Sequence, residues 1–309
     1  MEVRHFHRGR LLGFMGGLAL LLFGFVLPSA APVYSADKPD VRPARPVVVR
    51  PISATYSIEV GLEGEVYPVF ANYASLQKPN DRRWGTVAVT VSNSTDQPLR
   101  NRITVEVPGW SDQEIQMAEM PAGAKRTYIF APSFLPRFYR NSEIKAATAL
   151  VTATDAGGNV LFRQTAPVRL RAVEDMYWGV DFKYAPFIAS WVTPHDPKVE
   201  QVLARAKEFM PGRRLPGYED GKSEALQEQA TYQQVKAIYR ALQKQGVSYV
   251  KSSMTFGGNS GWSERVRYPR ESLHTRSANC IDGVLMYASL FENLDMDPVV
   301  VLIPGHAYV

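Results

Sequence analysis

Cys280 is the only cysteine of a chain whose first 36 residues read as an export signal, and this restricts the fold more than any other feature. No internal disulfide can form, so each domain has to hold together by burying its own core. The 309 residues suffice for about two such domains. In residues 1–36 a basic stretch through Arg10 precedes an apolar run from Leu11 to Leu27. Two small-residue patches follow, Pro28-Ser29-Ala30-Ala31 and Ser35-Ala36. Cleavage at either patch gives a periplasmic or extracellular protein. Retention of residues 11–27 gives one tethered to the inner membrane. An ordinary buried helix fits poorly, because Gly13, Gly16, Gly17 and Gly24 dilute the run.

Residues 37–52 carry Pro39, Pro43, Pro46 and Pro51 among charged side chains. They are expected to form an extended spacer, with a Pro-rich recognition motif as the alternative. The formal net charge of +5 includes Arg4, Arg8 and Arg10 of the leader. The remaining excess is scattered, which argues against a nucleic-acid partner. Five dispersed histidines offer no zinc cluster, and no metal or cofactor is expected.

Residues 53–174 read as strands throughout. Val87, Val89 and Val91 alternate ahead of the turn at Asn93–Asp96, and Ile103, Val105 and Val107 precede Pro108-Gly109. Asp155 to Asn159 marks a hairpin. Short strands at regular spacing, with no helical stretch, predict an all-β immunoglobulin-like sandwich.

Composition changes at residue 175, and residues 175–309 are expected to form a second, α+β domain. Asp196-Pro197 starts a helix with Val199, Val202, Leu203 and Ala206 on one face. A longer helix runs over about residues 223–245, with Val235, Ile238, Tyr239 and Leu242 inward and a solvated glutamine face (Gln227, Gln229, Gln233, Gln234). Gly257 to Gly261 is loop material beside Trp262, a possible substrate wall.

Next comes Arg276-Ser277-Ala278-Asn279-Cys280-Ile281-Asp282-Gly283, opening a helix that Ser277 or Asn279 caps. Ile281, Val284, Leu285, Ala288 and Phe291 recur at helical spacing, and Met286 and Leu290 widen the stripe, so most of its circumference is buried. Val299 to Ile303 is expected to be a buried strand, and Pro304-Gly305 turns the chain into His306. A thiol in the first turn of a helix faces unpaired N–H groups that favour its anion and can hold an oxyanion. A histidine on a neighbouring strand can take the thiol proton. The plainer reading is a small buried thiol.

The segments Asn279-Cys280-Ile281-Asp282-Gly283, Ala288-Ser289-Leu290 and Pro304-Gly305-His306-Ala307 resemble the core of bacterial transglutaminase-like proteins, which have the papain-like cysteine fold. The resemblance is strongest over residues 268–309 and weaker back to Tyr177. It implies Cys280 as nucleophile and His306 as base, acting on a protein or peptide amide by hydrolysis or transamidation. It also implies an acidic third member on the strand after the histidine's. Three residues follow His306, so the expectation is a partial domain. Papain-like enzymes often carry a glutamine just before the nucleophile. None follows Gln245, which leaves Asn279, His274 or backbone N–H groups as oxyanion donors. The alternative is a catalytically inactive extracytoplasmic binding or scaffolding protein.

Overall fold

A computed structural model describes residues 54–78, 85–218, 223–251, 255–258, 261–303 and 305–309. The leader at residues 1–36 and the spacer at residues 37–52 lie outside the described residues. Residues 51–309 pack as one unit.

The first half contains β1 (Thr55–Val60), β2 (Glu65–Val66), α1 (Pro68–Ser75), β3 (Val87–Ser92), β4 (Leu99–Glu106), β5 (Glu114–Met120), β6 (Lys125–Phe130), β7 (Lys145–Thr154) and β8 (Val160–Leu170). The alternation read in the sequence is realised in β3, where Val87, Val89 and Val91 are fully buried and the residues between them are not. Strands β1-β3-β6 form one sheet and β2-β8-β7-β4-β5 another, and a single core that includes Val89, Phe130, Ile103, Val151 and Leu170 joins them. The β7–β8 turn is tied by Asp155, whose carboxylate accepts from the N–H groups of Gly157 and Asn159, both at 2.9 Å.

An all-β immunoglobulin-like sandwich is not what forms. β2 runs parallel to β8, so the larger sheet is mixed, and α1 interrupts the strands. The described chain is a mixed α and β structure. The cause is local. Leu62 and Glu63 adopt left-handed backbone angles that redirect the chain after β1, and Pro68 then opens a helix at its first position. Phe70, Ala71 and Ala74 bury one face of that helix.

The second half contains β9 (Asp175–Gly179), α2 (Pro197–Ala206), α3 (Glu224–Gln245), β10 (Ser248–Tyr249), β11 (Thr255–Gly258), β12 (Gly261–Arg265), α4 (Pro269–Thr275), β13 (Ser277–Ala278), α5 (Cys280–Glu292), β14 (Val301–Ile303) and β15 (His306–Tyr308). Strands β11-β12-β9 form an antiparallel sheet, β10 pairs in parallel with β13, and β14 and β15 form a hairpin. Two cores meet along α5. Met286, Leu290 and Phe291 pack with α2 and α3, while Ile281, Val284 and Leu285 pack with Trp178, Trp191 and Ala307.

Two helical expectations change. Tyr239 is 57% exposed, whereas Gln234 is fully buried. The Gln234 amide donates to Gly217 O at 3.0 Å and accepts from Gly217 N at 2.9 Å, which makes its burial tolerable and turns Tyr239 outward. The expected buried strand at Val299–Ile303 is shorter and half open, because among the described residues β14 pairs with β15 alone. Val299 is 70% exposed and Ile303 45%.

The two halves are joined by charge and by aromatic packing. Arg265 on β12 donates to Ser142 O at 2.7 Å and pairs with Glu143, Glu174 and Asp175 at 3.5, 3.6 and 3.7 Å. Arg171 pairs with Glu65 and Asp175 and lies over the ring of Tyr67, which stacks on Tyr177.

Candidate functional site around Cys280

The approach to Cys280 is fixed before the helix begins. α4 ends at Arg276, whose left-handed backbone (φ 56°) turns the chain into β13. Backbone bonds from Ser248 N to Arg276 O and from Val250 N to Ala278 O, each 2.9 Å, hold that strand against β10. Asn279, buried, is the N-cap. Its Oδ1 accepts from Asp282 N at 2.8 Å, and the Asp282 carboxylate accepts in return from Asn279 N at 3.4 Å. Of the two caps the sequence allowed, Asn279 is the one used.

Asp282 does more than cap. Its Oδ1 also accepts from Arg267 N at 2.8 Å, which ties the loop before α4 to the first turn of α5. Burial pushes this carboxyl up from its ordinary value, and the donations from Arg267 and Asn279 pull against that. Glu264 on β12 lies close enough to feel the Asp282 charge. Burial raises its carboxyl, the Trp178 indole lowers it and Asp282 raises it further. The sequence reading missed the Asp282–Arg267 link and Glu264. The reciprocal Asn279–Asp282 spacing signalled the cap alone.

Cys280 is the first residue of α5, a free and half-buried thiol. Its position leaves it among backbone N–H groups that have no partner within the helix. The residues behind it are buried: Ile281 is 3% exposed and Val284 5%. β15 runs beside α5, with Ala307 packed into the core that holds Ile281, Val284 and Leu285. Because Ala307 faces that core, strand alternation turns His306 and Tyr308 the other way, and both are exposed. No hydrogen bond joins the Cys280 thiol to His306 among the described residues. The fold therefore brings the strand of His306 to the helix of Cys280 without an assembled pair.

Trp262, on β12, packs against Trp178 with centroids 5.7 Å apart and edge-on against Phe182 at 5.0 Å. It belongs to the core that contains Ile281 and Ala307, so an aromatic wall stands in the same region as the first turn of α5. His274 lies exposed in the last turn of α4. Trp262 and the buried face of α5 thus share one core, and Asn279 caps that helix. Among the described residues no cluster of three or more His, Cys, Asp or Glu side chains could hold a metal ion. No helix among them is long and apolar enough to cross a membrane.

No protein-family model matches the chain, and no curated protein matches it. Among solved structures, a FixG-related protein from Vibrio parahaemolyticus is 14% identical. The match covers 39% of this chain and 96% of that one, with a TM-score of 0.24. The X-ray structure of the structural genomics target SoR45 is 11% identical over 39% of this chain and 87% of that one, with a TM-score of 0.18. At these TM-scores neither likeness bears on the fold or the site.

Proposed function

We propose that the chain is an exported, transglutaminase-like cysteine acyl-transfer protein acting on protein or peptide amides, with Cys280 as nucleophile and His306 as base. One observation carries most of the weight. The lone thiol is half-open at the first position of a helix that is otherwise mostly buried, and the strand of His306 packs along that helix through Ala307. A thiol kept only for packing has no need of that position. The basic then apolar residues 1–36 support export, with residues 11–27 as tether if they are retained.

In the reaction, His306 takes the Cys280 proton and the thiolate attacks the amide carbonyl carbon. The N–H groups of the first turn hold the oxyanion. When the C–N bond breaks, the imidazolium returns the proton to the departing amine, leaving a thioester on Cys280. Water or a second amine, deprotonated by His306, then attacks the thioester; the C–S bond breaks, the acyl group leaves as acid or new amide, and the imidazolium returns the proton to the Cys280 sulfur. A displacement of β15 that carries the His306 imidazole round to the thiol has to precede the first step, since His306 faces away from the core of α5 and the two are not hydrogen-bonded.

The second reading is an inactive binding or scaffolding protein, favoured by the exposed, unengaged His306. Alkylation separates the two. In the folded full chain, Cys280 is expected to react readily with iodoacetamide, and His306→Ala is expected to slow it at least about tenfold at neutral pH. A thiol that reacts only after denaturation, or one indifferent to His306, would establish the scaffold reading instead.

A further inference from the structure

Glu174 and Glu271 meet at the joint between β9 and α4. Glu174 immediately precedes β9, and its backbone carbonyl accepts from Val266 N at 2.8 Å. Glu271 lies in the first turn of α4, where its carboxylate accepts from Tyr268 N at 3.1 Å. The two side chains are 20% and 32% exposed, and they are hydrogen-bonded to each other. Two ionised carboxylates have no proton to place in such a bond, so one of the pair has to carry it.

The surrounding charges point the same way. On β12, the Arg265 guanidinium is divided among Glu143, Glu174 and Asp175 at 3.5, 3.6 and 3.7 Å. Asp175, pushed up by burial, is held down by the Ala172 N–H, Arg171 and Arg265, and Arg171 is shared with Glu65. On α4, Arg270 reaches Glu271 at 3.7 Å from an exposed position. Tyr268 and Asp282 also lie within reach of the Glu271 charge, and neither brings a positive one. Full ionisation therefore leaves the joint short of cations. The segment held there carries further ties: Arg265 to Ser142 O at 2.7 Å and Arg267 N to Asp282 at 2.8 Å.

We propose that Glu174 and Glu271 form a proton-operated clasp on residues 265–271, closed by a shared proton in acid and loosened when the loss of that proton sets two carboxylates against each other. The clasp stands apart from the cysteine reading. Burial, the bond with Glu271 and the Glu271 charge push Glu174 from 4.5 to about 7, against the pull of Arg265. A carboxyl raised in this way favours the closed form fully below about 4.5, and that contribution is lost as pH rises through about 7. The first turn of α4 is the part released, because Glu271 is its tie to Tyr268 N as well as to Glu174.

The test is hydrogen exchange of the full chain in mild detergent at about pH 5.5 and about pH 8, read by mass spectrometry and divided by the exchange rate of an unstructured peptide at each pH. Peptides covering residues 265–272 are expected to lose protection about tenfold at the higher pH, while β3 keeps its own. Glu174→Gln, whose amide donates to Glu271 at every pH, should abolish the loss. Glu271→Gln should do the same from the other side and decides the matter if Glu174→Gln does not fold, which circular dichroism would show. Protection that does not change with pH, a loss shared equally by β3, or a loss that persists in a folded variant would overturn the proposal.

Discussion

Asp282 holds three backbone groups in register: its own N–H against Asn279, and the N–H groups of Asn279 and Arg267 against its carboxylate. Asp282→Ala would leave two donors with no partner in a site where Asp282 itself is 2% exposed. The expected loss is about 2–3 kcal/mol in urea unfolding, from the cap and the unsatisfied N–H groups together. A loss near zero would mean water replaces the carboxylate. Glu174 works against the fold once it loses its proton. Burial, a hydrogen bond with Glu271 and the Glu271 charge push its carboxyl from 4.5 to about 7, against the pull of Arg265. The folded state thus keeps a proton that the unfolded chain releases, and stability falls as pH rises from about 4.5 to about 7. Glu174→Gln should therefore stabilise the fold at pH 8 relative to wild type, by about 1 kcal/mol once solvent screening is allowed for, and raise the melting temperature there but not at pH 4. Thermal scans at the two pH values would show it, and an equal shift at both would exclude the titration.

At the level of elements, the sequence disclosed those whose signals are local. α5 could be placed because its cap residues are three apart and its apolar residues repeat at helical spacing; α2 could be placed because Asp196 caps and Pro197 starts it. α1 escaped notice because eight residues between strand-like stretches show little more than two turns of periodicity, and Tyr67 to Tyr73 reads equally as strand. The rotation of α3 escaped for another reason. A glutamine is assigned to solvent unless its partner is known, and the partner of Gln234 is a backbone seventeen positions away. Of the site, the cap and the place of Cys280 in the first helical turn were legible. The outward turn of His306 was not, since it depends on which face of β15 meets α5. The Gln234 clamp also predicts a severe substitution. Gly217 has φ +70°, and a β-carbon there would come within 2.1 Å of Leu294 O. Gly217→Ala should cost about 3 kcal/mol or more, because the obstacle is backbone and the conformation disfavours any side chain. A melting temperature within a degree of wild type would show that the α3 loop shifts freely.

Across the whole molecule, the residues before Glu174 and those after it are joined at Arg265, Arg171 and the Tyr67–Tyr177 stack. Residues 51–309 are expected to unfold in one transition, followed by tryptophan fluorescence and far-ultraviolet dichroism together. Arg265→Ala removes the hydrogen bond to Ser142 O and, among the described residues, leaves the buried Asp175 with Arg171 at 3.7 Å as its ion-pair partner and the Ala172 N–H at 3.3 Å. A destabilisation of about 2 kcal/mol follows, with the two probes beginning to separate. Coincident, unshifted curves would place the cohesion elsewhere.

α5 lies between two cores, one built with α2 and α3 and the other with β9, β12 and β15. A helix gripped on both sides has no private route to disorder. Heating has to dissolve both sets of contacts before the first turn can drift. Under the proposed function, the chemistry of Cys280 and the integrity of the fold should therefore fail at the same temperature, with no interval in which a folded but inert protein accumulates.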